Sequence, residues 1–387
     1  MNVPKIRFND FYDNISKISI KELGNVITGT TPSTADRSNY GDEYLWASPV
    51  DMGDFKYINN TKTKLSEKGF NKTRCVPKDS ILITCIGSTI GKTGMASKEM
   101  STNQQINTLI PNKNYNSDYL YYCINFNFPR FLNKISFQAV PIISKSEFEK
   151  LEVNITKNIY EQEKIGNMLS LIDKKIELQS KKIEDLKLFK MSTLDKYFNK
   201  DTCKEKALLK KYCSCLTGKS KADKVDINGN YYIMDMGTVN SDGNILKTKP
   251  TFCNLDLLSY GDLVMPKDDI GGGLIIGKTG FIDEDNKYVL GDHVYLLKVN
   301  DINSLFLHYQ INSKYINKQL KRKVTGSAQL GLKSDNILNQ EIYIYSEEEQ
   351  KKIANIFKLI DRKIELETEK IFKLINLKKG LMQNMFV

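Results

Sequence analysis

The segment GGLIIGKTG, from Gly272 to Gly280, has residue types and spacing that could bind a nucleotide. Gly272, Gly277, Lys278 and Thr279 satisfy the pattern G-x-x-x-x-G-K-[ST], in which backbone amides and a lysine hold phosphates. IGKTG recurs at residues 90–94, but Ile86 stands where the first glycine would be. A phosphate-binding loop also leads into a helix, whereas GFIDEDNKY after Thr279 indicates strand and turn. Both copies therefore predict a tight turn between strands that presents a lysine, and an NTPase remains a disfavoured alternative.

Other catalytic and metal-binding patterns are absent from the sequence. There is no [DNS]-P-P-[YF] loop of an adenine methyltransferase, the nearest string being NFPR at Asn127, and no Gly-x-Ser-x-Gly elbow. Seven cysteines include no Cys-x-x-Cys pair, and His293 and His308 are the two histidines, in apolar contexts that favour structural roles. The sequence predicts neither catalytic residues nor a metal site.

The charge balance favours a polyanionic partner. The chain has 387 residues, 57 Lys and Arg against 46 Asp and Glu, a net charge of +11 and a pI near 9.0, which suits nucleic acid. The same excess would also fit a generic basic surface in a protein rich in Lys, Asn and Ile. The N-terminus has no apolar signal region, and no run approaches the ~18 apolar residues of a membrane span. We expect a reduced, soluble, cytoplasmic protein.

An internal repeat must position any site. EQEKIGNMLSLIDKKIELQSKKIEDLKLFKMSTLDKYF begins at Glu161, and EQKKIANIFKLIDRKIELETEKIFKLINLKKGLMQNMF begins at Glu349, a shift of 188 residues with roughly half of the positions identical. Apolar residues alternate steps of four and three, which predicts two helices of about 57 Å that pair through coiled-coil seams. The predicted seam consists of Ile165, Leu169, Ile172, Ile176, Gln179, Ile183, Leu186, Ile353, Phe357, Ile360, Ile364, Glu367, Ile371 and Leu374.

Two features of these helices suggest how they pair and what they bind. If the helices pair antiparallel, the polar positions Gln179 and Glu367 meet near the middle and fix the register. A second apolar row lies outside the seam and suits docking of a partner protein. This row consists of Met168, Leu171, Leu178, Ile356, Leu359 and Leu366.

The remaining segments alternate short β-like runs with turns and amphipathic pieces, and they repeat more faintly. DSILITCIGSTIGKTG is similar to DLVMPKDDIGGGLIIGKTG, and each precedes an alternating strand-like run. We predict a first globular domain at 1–157, a first long helix at 158–200, a second globular domain at 201–345 and a second long helix at 346–387.

With these motifs together, the chain resembles the specificity subunits of type I DNA restriction-modification systems over essentially its whole length. The resemblance rests on the two helices, on KELGNVITGTTPST and YLWASPVDM in the first domain, and on YYIMDMGTVNSDG, IGKTG and TGSAQLGLKS in the second. It implies an α+β fold with a pseudo-two-fold internal repeat, in which two target-recognition domains are separated by two long antiparallel coiled-coil helices. It also implies a subunit without catalysis that recognises a bipartite, asymmetric sequence of double-stranded DNA.

The same resemblance implies which partners carry the chemistry. Two methyltransferase subunits would supply S-adenosylmethionine for N6-adenine methylation, and two restriction subunits would use ATP and Mg²⁺. No cofactor is expected on this chain. The alternative is a coiled-coil scaffold with two ligand- or protein-binding domains, against which the basic balance and the paired lysine turns weigh. An NTPase would bind ATP as the isolated chain, whereas a targeting subunit would bind no nucleotide without its partner subunits.

Side-chain chemistry indicates the candidate DNA contacts. Lys and Arg suit phosphates, and Arg, Lys, Asn and Gln suit base edges. In the first domain these are Lys92, Asn103, Gln104, Gln105, Arg130, Lys134 and Gln138. In the second domain they are Lys267, Lys278, Lys321, Arg322, Lys323, Gln329 and Lys333.

Overall fold

The computed structural model describes residues 4–53, 55–132, 141–199, 205–326 and 329–387, which divide into two compact units. Described residues of Met1–Lys181 and Thr368–Val387 form the first unit, and those of Lys182–Glu367 form the second. The candidates Lys134 and Gln138 lie outside the described residues. Within the described ranges, no helix combines the length and apolar composition that crossing a membrane requires.

The first unit is built mainly from sheets. Its strands are β1 (Ile15–Ser19), β2 (Gly24–Thr28), β3 (Tyr40–Gly41), β4 (Tyr44–Ala47), β5 (Tyr57–Ile58), β6 (Lys64–Leu65), β7 (Cys75–Val76), β8 (Ile81–Thr84), β9 (Thr93–Ala96), β10 (Met100–Thr102), β11 (Ile106–Pro111) and β12 (Glu152–Thr156). Its helices are α1 (Ile20–Leu23), α2 (Glu67–Phe70), α3 (Ser117–Leu132), α4 (Lys145–Lys150) and the start of α5 (Ile159–Tyr197). The strand orders are β2-β11-β8-β9-β5, β3-β6-β4-β10-β7 and β1-β12.

The second unit repeats much of this arrangement. Its strands are β13 (Lys206–Leu208), β14 (Cys213–Thr217), β15 (Tyr231–Met234), β16 (Pro250–Thr251), β17 (Leu263–Pro266), β18 (Asp268–Asp269), β19 (Gly280–Phe281), β20 (Tyr288–Leu290), β21 (Val294–Val299), β22 (Leu330–Gly331) and β23 (Glu341–Tyr343). Its helices are α6 (Ser304–Asn312), α7 (Lys314–Lys321), α8 (Ser334–Leu338) and the start of α9 (Glu347–Met385). The order β14-β21-β17-β19 matches β2-β11-β8-β9, with antiparallel pairing throughout.

The helices α5 and α9 each contain 39 residues, and local sequence explains where they begin. The Asn158 carboxamide oxygen accepts hydrogen bonds from the backbone N–H groups of residues 160 and 161. Ser346 and Glu349 form a reciprocal capping box before α9, at 3.0 Å and 3.3 Å. These caps satisfy backbone donors that a helix start leaves unpaired. The division of the chain into four segments stays a prediction.

Each unit builds its core from sheet, short helix and long helix. In the first unit, Ile165 and Leu169 of α5 share a core with α3 and with Met385 of α9. In the second, Phe357 of α9 shares a core with α6 and with Leu194 of α5. Ion pairs in the second unit join Lys182 to Glu367 and Lys190 to Asp361, so its two helix segments run antiparallel. The α+β class is confirmed, whereas the coiled-coil seam stays a prediction; all of its residues are buried or half-buried.

Candidate nucleic-acid interface

The lysine turn of the first unit connects β8 to β9, two antiparallel strands of one sheet. Gly91 has a φ of +93°, which favours glycine, and the next residue, Lys92, is exposed. Lys92 lines a cavity of about 580 Å³, together with Lys56 and Lys378. The Lys56 ammonium donates to Asp118 at 2.6 Å and is buried, so its charge is already paired within the protein. Lys92, by contrast, is exposed at the end of this turn and is placed to meet a phosphate.

The polar triplet Asn103, Gln104 and Gln105 lies in the turn between β10 and β11. Asn103 is 7% exposed, its side chain donates to the Gln105 carboxamide at 2.9 Å, and it accepts from the Gln105 backbone N–H at 3.1 Å. Gln104 is exposed and accepts a hydrogen bond from Thr31. The burial of Asn103 disfavours a base contact by that residue, because its groups already shape the turn. Gln104 and Gln105 remain accessible.

Arg130 is exposed on α3, as a DNA contact requires. Its guanidinium lies 4.9 Å from the centre of the Phe126 ring, a cation–π geometry. This contact orients the side chain without neutralising its charge. Arg130 therefore stays a candidate for phosphate binding.

In the second unit the lysine turn lies within a longer loop, residues 267–279, between β17 and β19. β18 in this loop pairs with β22, which brings residues 267–269 next to 330–332. Asn317 of α7 donates to the Gly277 carbonyl oxygen at 2.8 Å, and the positive charge of Lys321 at the end of α7 helps to lower the pKa of Lys278. The fold therefore brings four of the predicted DNA contacts to the region of this loop: Lys267, Lys278, Lys321 and Gln329.

The structure does not support a nucleotide-binding role for Lys278 and Thr279. The Lys278 ammonium donates to the Asn312 carbonyl oxygen at 3.0 Å, and burial, with repulsion from Lys321, lowers its pKa to about 8. Thr279 is fully buried, and its backbone N–H donates to the Asn312 side chain at 2.9 Å. The segment then enters strand β19 rather than a helix. These contacts also disfavour Lys278 as a phosphate ligand.

The other predicted DNA contacts of this unit are either half-buried or exposed. The Lys323 ammonium donates to the Gln340 carboxamide at 3.0 Å and to the Asn336 carbonyl oxygen at 3.3 Å, which indicates a structural role near the end of α8. Lys267 is half-buried, with its ammonium 5.9 Å from the Tyr295 ring centre. The candidates that are exposed are Lys321, Arg322, Gln329 and Lys333.

A repeated Tyr–Asp–Lys junction is a feature that sequence reasoning missed. In the first unit, Asp173 of α5 accepts from Tyr122 of α3 at 2.6 Å and pairs with Lys378 of α9 at 2.6 Å. The Lys378 ammonium also lies 5.1 Å from the Tyr122 ring centre. Burial and the Asp173 carboxylate raise the pKa of the Tyr122 hydroxyl, so the tyrosine is a neutral donor. The junction attaches the sheet domain of this unit to both long helices.

The second unit contains the same junction with the helix roles exchanged. Asp361 of α9 accepts from Tyr309 of α6 at 2.8 Å and pairs with Lys190 of α5 at 2.5 Å. The Lys190 ammonium lies 5.2 Å from the Tyr309 ring centre. Asp173 and Asp361, like Lys190 and Lys378, are separated by the 188-residue shift of the helix repeat. That repeat was the signal available in the sequence, but the tyrosines lie too far along the chain to be associated with it.

The predicted partner-docking row is unevenly exposed. Leu171, Leu178, Leu359 and Leu366 are exposed, whereas Met168 and Ile356 are half-buried. Met168 packs against the core of the first unit, which disfavours it as a docking residue. The repeat shift also relates two exposed residues absent from the prediction, Phe189 and Leu377.

One cluster of the second unit contains side chains of the types that bind metal ions. Ligand atoms of Asp235, Asp292 and His293 lie within 4.8 Å of one another. The Lys249 ammonium is 2.8 Å from Asp235, and His293 Nδ1 is 3.0 Å from Asp268. Lys249 and Asp268 therefore already pair with two of these three groups, and we assign no ion to the cluster.

Several specificity subunits of type I restriction enzymes are similar to this chain in sequence. The specificity subunit of the type I restriction enzyme MjaVIII from Methanocaldococcus jannaschii is 26% identical over 337 residues, 81% of this chain and 79% of that subunit. The MjaIX specificity subunit of the same organism is 30% identical over 185 residues, 46% of this chain and 42% of that subunit. The HindI specificity subunit of Haemophilus influenzae is 31% identical over 140 residues, 35% of this chain. The chain therefore matches 42% and 30% of the lengths of the MjaIX and HindI subunits.

The fold is that of solved S subunits. The S subunit of a type I restriction-modification system from M. genitalium superimposes with a TM-score of 0.67 at 18% identity, covering 100% of this chain and 99% of that one. A chain from a study of complex assembly and conformational transition of the type I R-M system gives 0.56 at 11% identity, covering 96% and 98%. The sequence itself matches the Type I restriction modification DNA specificity domain over residues 12–188 and 213–376. Since these ranges include most of both repeats, the chain belongs to the family of type I restriction-modification DNA specificity proteins.

Proposed function

We propose that this chain is the DNA-binding specificity subunit of a type I restriction-modification complex. The observation that carries the proposal is that both halves of the internal repeat match the DNA specificity family. Two repeated units that differ in their loops suit a bipartite and asymmetric target with one unit for each half. The scaffold alternative is not favoured, because it does not account for this match.

The proposed subunit targets DNA and leaves the chemistry to its partners. We propose that two methyltransferase subunits carry S-adenosylmethionine and methylate adenine, and that two restriction subunits use ATP and Mg²⁺. The exposed leucines at 171, 178, 359 and 366 support docking of such partners, since large apolar side chains on a helix surface suit a protein interface. A cytoplasmic location stays part of the proposal.

The proposal is tested by methylation in a host that lacks the system. The chain is co-expressed with the methyltransferase subunit, and N6-methyladenine is mapped in the host DNA by single-molecule sequencing. The expected result is one split motif with two specified halves and a fixed gap. A stable complex that adds no methylation would contradict the proposal and favour the scaffold.

Phosphate binding by the second unit has a matched charge control. Lys321 and Arg322 are exposed at the end of α7, and Lys210 and Lys211 are exposed in a turn before β14. Each double alanine variant removes two positive charges. The quantity measured is the slope of log DNA affinity against log salt concentration for the complex with its methyltransferase subunits. In Lys321→Ala/Arg322→Ala its magnitude should decrease by about 1.8, because each lost phosphate contact contributes about 0.9. An equal decrease in Lys210→Ala/Lys211→Ala would show that only net charge matters.

A further inference from the structure

The loop between β18 and β19 in the second unit exposes two large apolar side chains. Ile270 is 69% exposed and Leu274 is 63% exposed, although they are four residues apart on one short loop. Their neighbours Ile275 and Ile276 turn inward, and Ile276 is 1% exposed. The tip formed by Ile270 and Leu274 is therefore an apolar projection and not a part of the core.

The base of this loop is held in place by a buried carboxylate. Asp269 is 2% exposed, and its oxygens accept from the backbone N–H groups of Gly271 at 2.6 Å and Ile275 at 2.9 Å. Gly272 and Gly273, between them, have φ values of +79° and +82°, which side-chain-bearing residues rarely adopt. A Cβ at Gly272 would meet no atom within 4 Å, so conformation rather than crowding explains the glycine. The projection is pre-shaped by these contacts.

Positive charge lies at the base of this apolar tip. Asn317 of α7 donates to the Gly277 carbonyl oxygen of the loop at 2.8 Å, and Lys321 and Arg322 at the end of that helix are exposed. An exposed apolar surface with a basic surround matches a duplex, which offers phosphates around an apolar base stack. An acidic protein surface would satisfy the lysines but leave the two aliphatic side chains without an apolar counterpart.

The first unit has no such projection in the matching turn. Residues 85–92 connect β8 to β9 by a shorter path, and Ile86 and Ile90 are half-buried. Ile86 forms a bridge with Ile142, in the place that β18 and β22 take in the second unit. Within residues 85–92, the matching turn of the first unit therefore lacks the apolar tip.

We infer that Ile270 and Leu274 form a wedge that inserts between two stacked base pairs in the half-site bound by the second unit. Leu and Ile wedges of this kind unstack a base step and kink the duplex. The wedge favours a flexible pyrimidine–purine step, so it adds specificity without a hydrogen bond to a base. The half-site of the first unit should lack this wedge-induced kink. This inference rests on the proposed DNA-targeting function.

The test uses the full chain in complex with its methyltransferase subunits and the target duplex identified by methylation sequencing. 2-Aminopurine, which fluoresces more strongly when unstacked, replaces each adenine of the target in turn. Flipping of the adenine to be methylated should raise fluorescence at that position with or without a wedge. For the wild type, one additional rise should appear in the second half-site and none in the first. Ile270→Ala/Leu274→Ala should abolish the additional rise and weaken binding about tenfold, since lost apolar burial is partly offset by restored stacking.

Ile227→Ala is the matched control, because Ile227 is 86% exposed on a different turn of the same unit. It should keep both the additional fluorescence rise and the affinity. Specific binding without an additional rise beyond the flipped adenine, or an additional rise that persists in the double variant, would overturn the wedge and leave the proposed function intact. A wild-type complex without specific DNA binding would overturn both.

Discussion

Removal of the Asp173 carboxylate tests whether the Tyr–Asp–Lys junction stabilises the first unit. Asp173 is 17% exposed and Lys378 is 20% exposed, with both contacts of the carboxylate at 2.6 Å. Hydrogen bonds to a charged group contribute about 1.5–3 kcal/mol each. The unpaired lysine recovers part of this loss by rotating toward water, so Asp173→Ala should lower the free energy of unfolding by about 3 kcal/mol.

The isosteric variant separates charge from shape. Asp173→Asn keeps a group that accepts from Tyr122 but loses the attraction to Lys378, so its cost should be about half, roughly 1.5 kcal/mol. The control is Asp242→Ala, because Asp242 forms an exposed pair with Lys187 of the same helix, at 56% and 51% exposure. Exposed pairs contribute about 0–1 kcal/mol.

Thermal unfolding followed by circular dichroism measures these differences. For units of this size about 1 kcal/mol corresponds to 2–4 °C, so Asp173→Ala should lower the melting temperature by about 6–12 °C. If Asp173→Ala costs no more than Asp242→Ala, the junction does not hold the unit together. Asp361→Ala in the second unit should cost less than Asp173→Ala, because Asp361 is 35% exposed.

Three further predictions concern buried or coupled charges. Glu367 is fully buried beside lysines that are about half exposed, so Glu367→Leu should raise the melting temperature, and a decrease would show that the ion pairs stabilise the fold. The Asp268 carboxylate raises the pKa of His293, so this pair should stabilise the fold fully below about pH 6.5 and lose its effect as pH rises through the raised pKa. Urea unfolding should therefore show a larger cost of Asp268→Asn at pH 5.5 than at pH 8.5, and equal costs would refute the coupling. Burial, followed by repulsion from Lys321, lowers the pKa of Lys278 to about 8, so unfolding free energy should rise from about pH 8 to 10, and by less in Lys278→Met. Lys321→Ala should raise the pKa of Lys278, as NMR titration of its Nζ would show.

Sequence periodicity predicted two long helices, and the repeated segments lie in two 39-residue helices, but periodicity could not assign the candidate DNA contacts. The helix prediction depends on residues three and four apart, which a helix places on one face whatever surrounds it. Lys278 and Lys92 occur in the same pentapeptide, yet Lys92 is exposed and Lys278 donates to a carbonyl of α6. That difference depends on a helix end 34 residues away in the chain, which no local pattern contains.

The Tyr–Asp–Lys junctions also combine positions that the sequence repeat relates with contacts that only the fold creates. The repeat placed Asp173 and Asp361 at equivalent helix positions, and the sequence alone contains that equivalence. Their partners Tyr122 and Tyr309 are separated from them by 51 and 52 residues, so only the packing of sheet, short helix and long helix brings the groups together.

The sequence by itself determined the two long helices, the duplication that relates the two halves and the basic balance of the chain. Each of these is set by local spacing or by composition. The tertiary structure alone decided which lysines are free to meet a phosphate, that Asp269 shapes an apolar loop tip, and that the loop differs between the two units. Burial and hydrogen bonding decide these properties, and both depend on residues far apart in the chain.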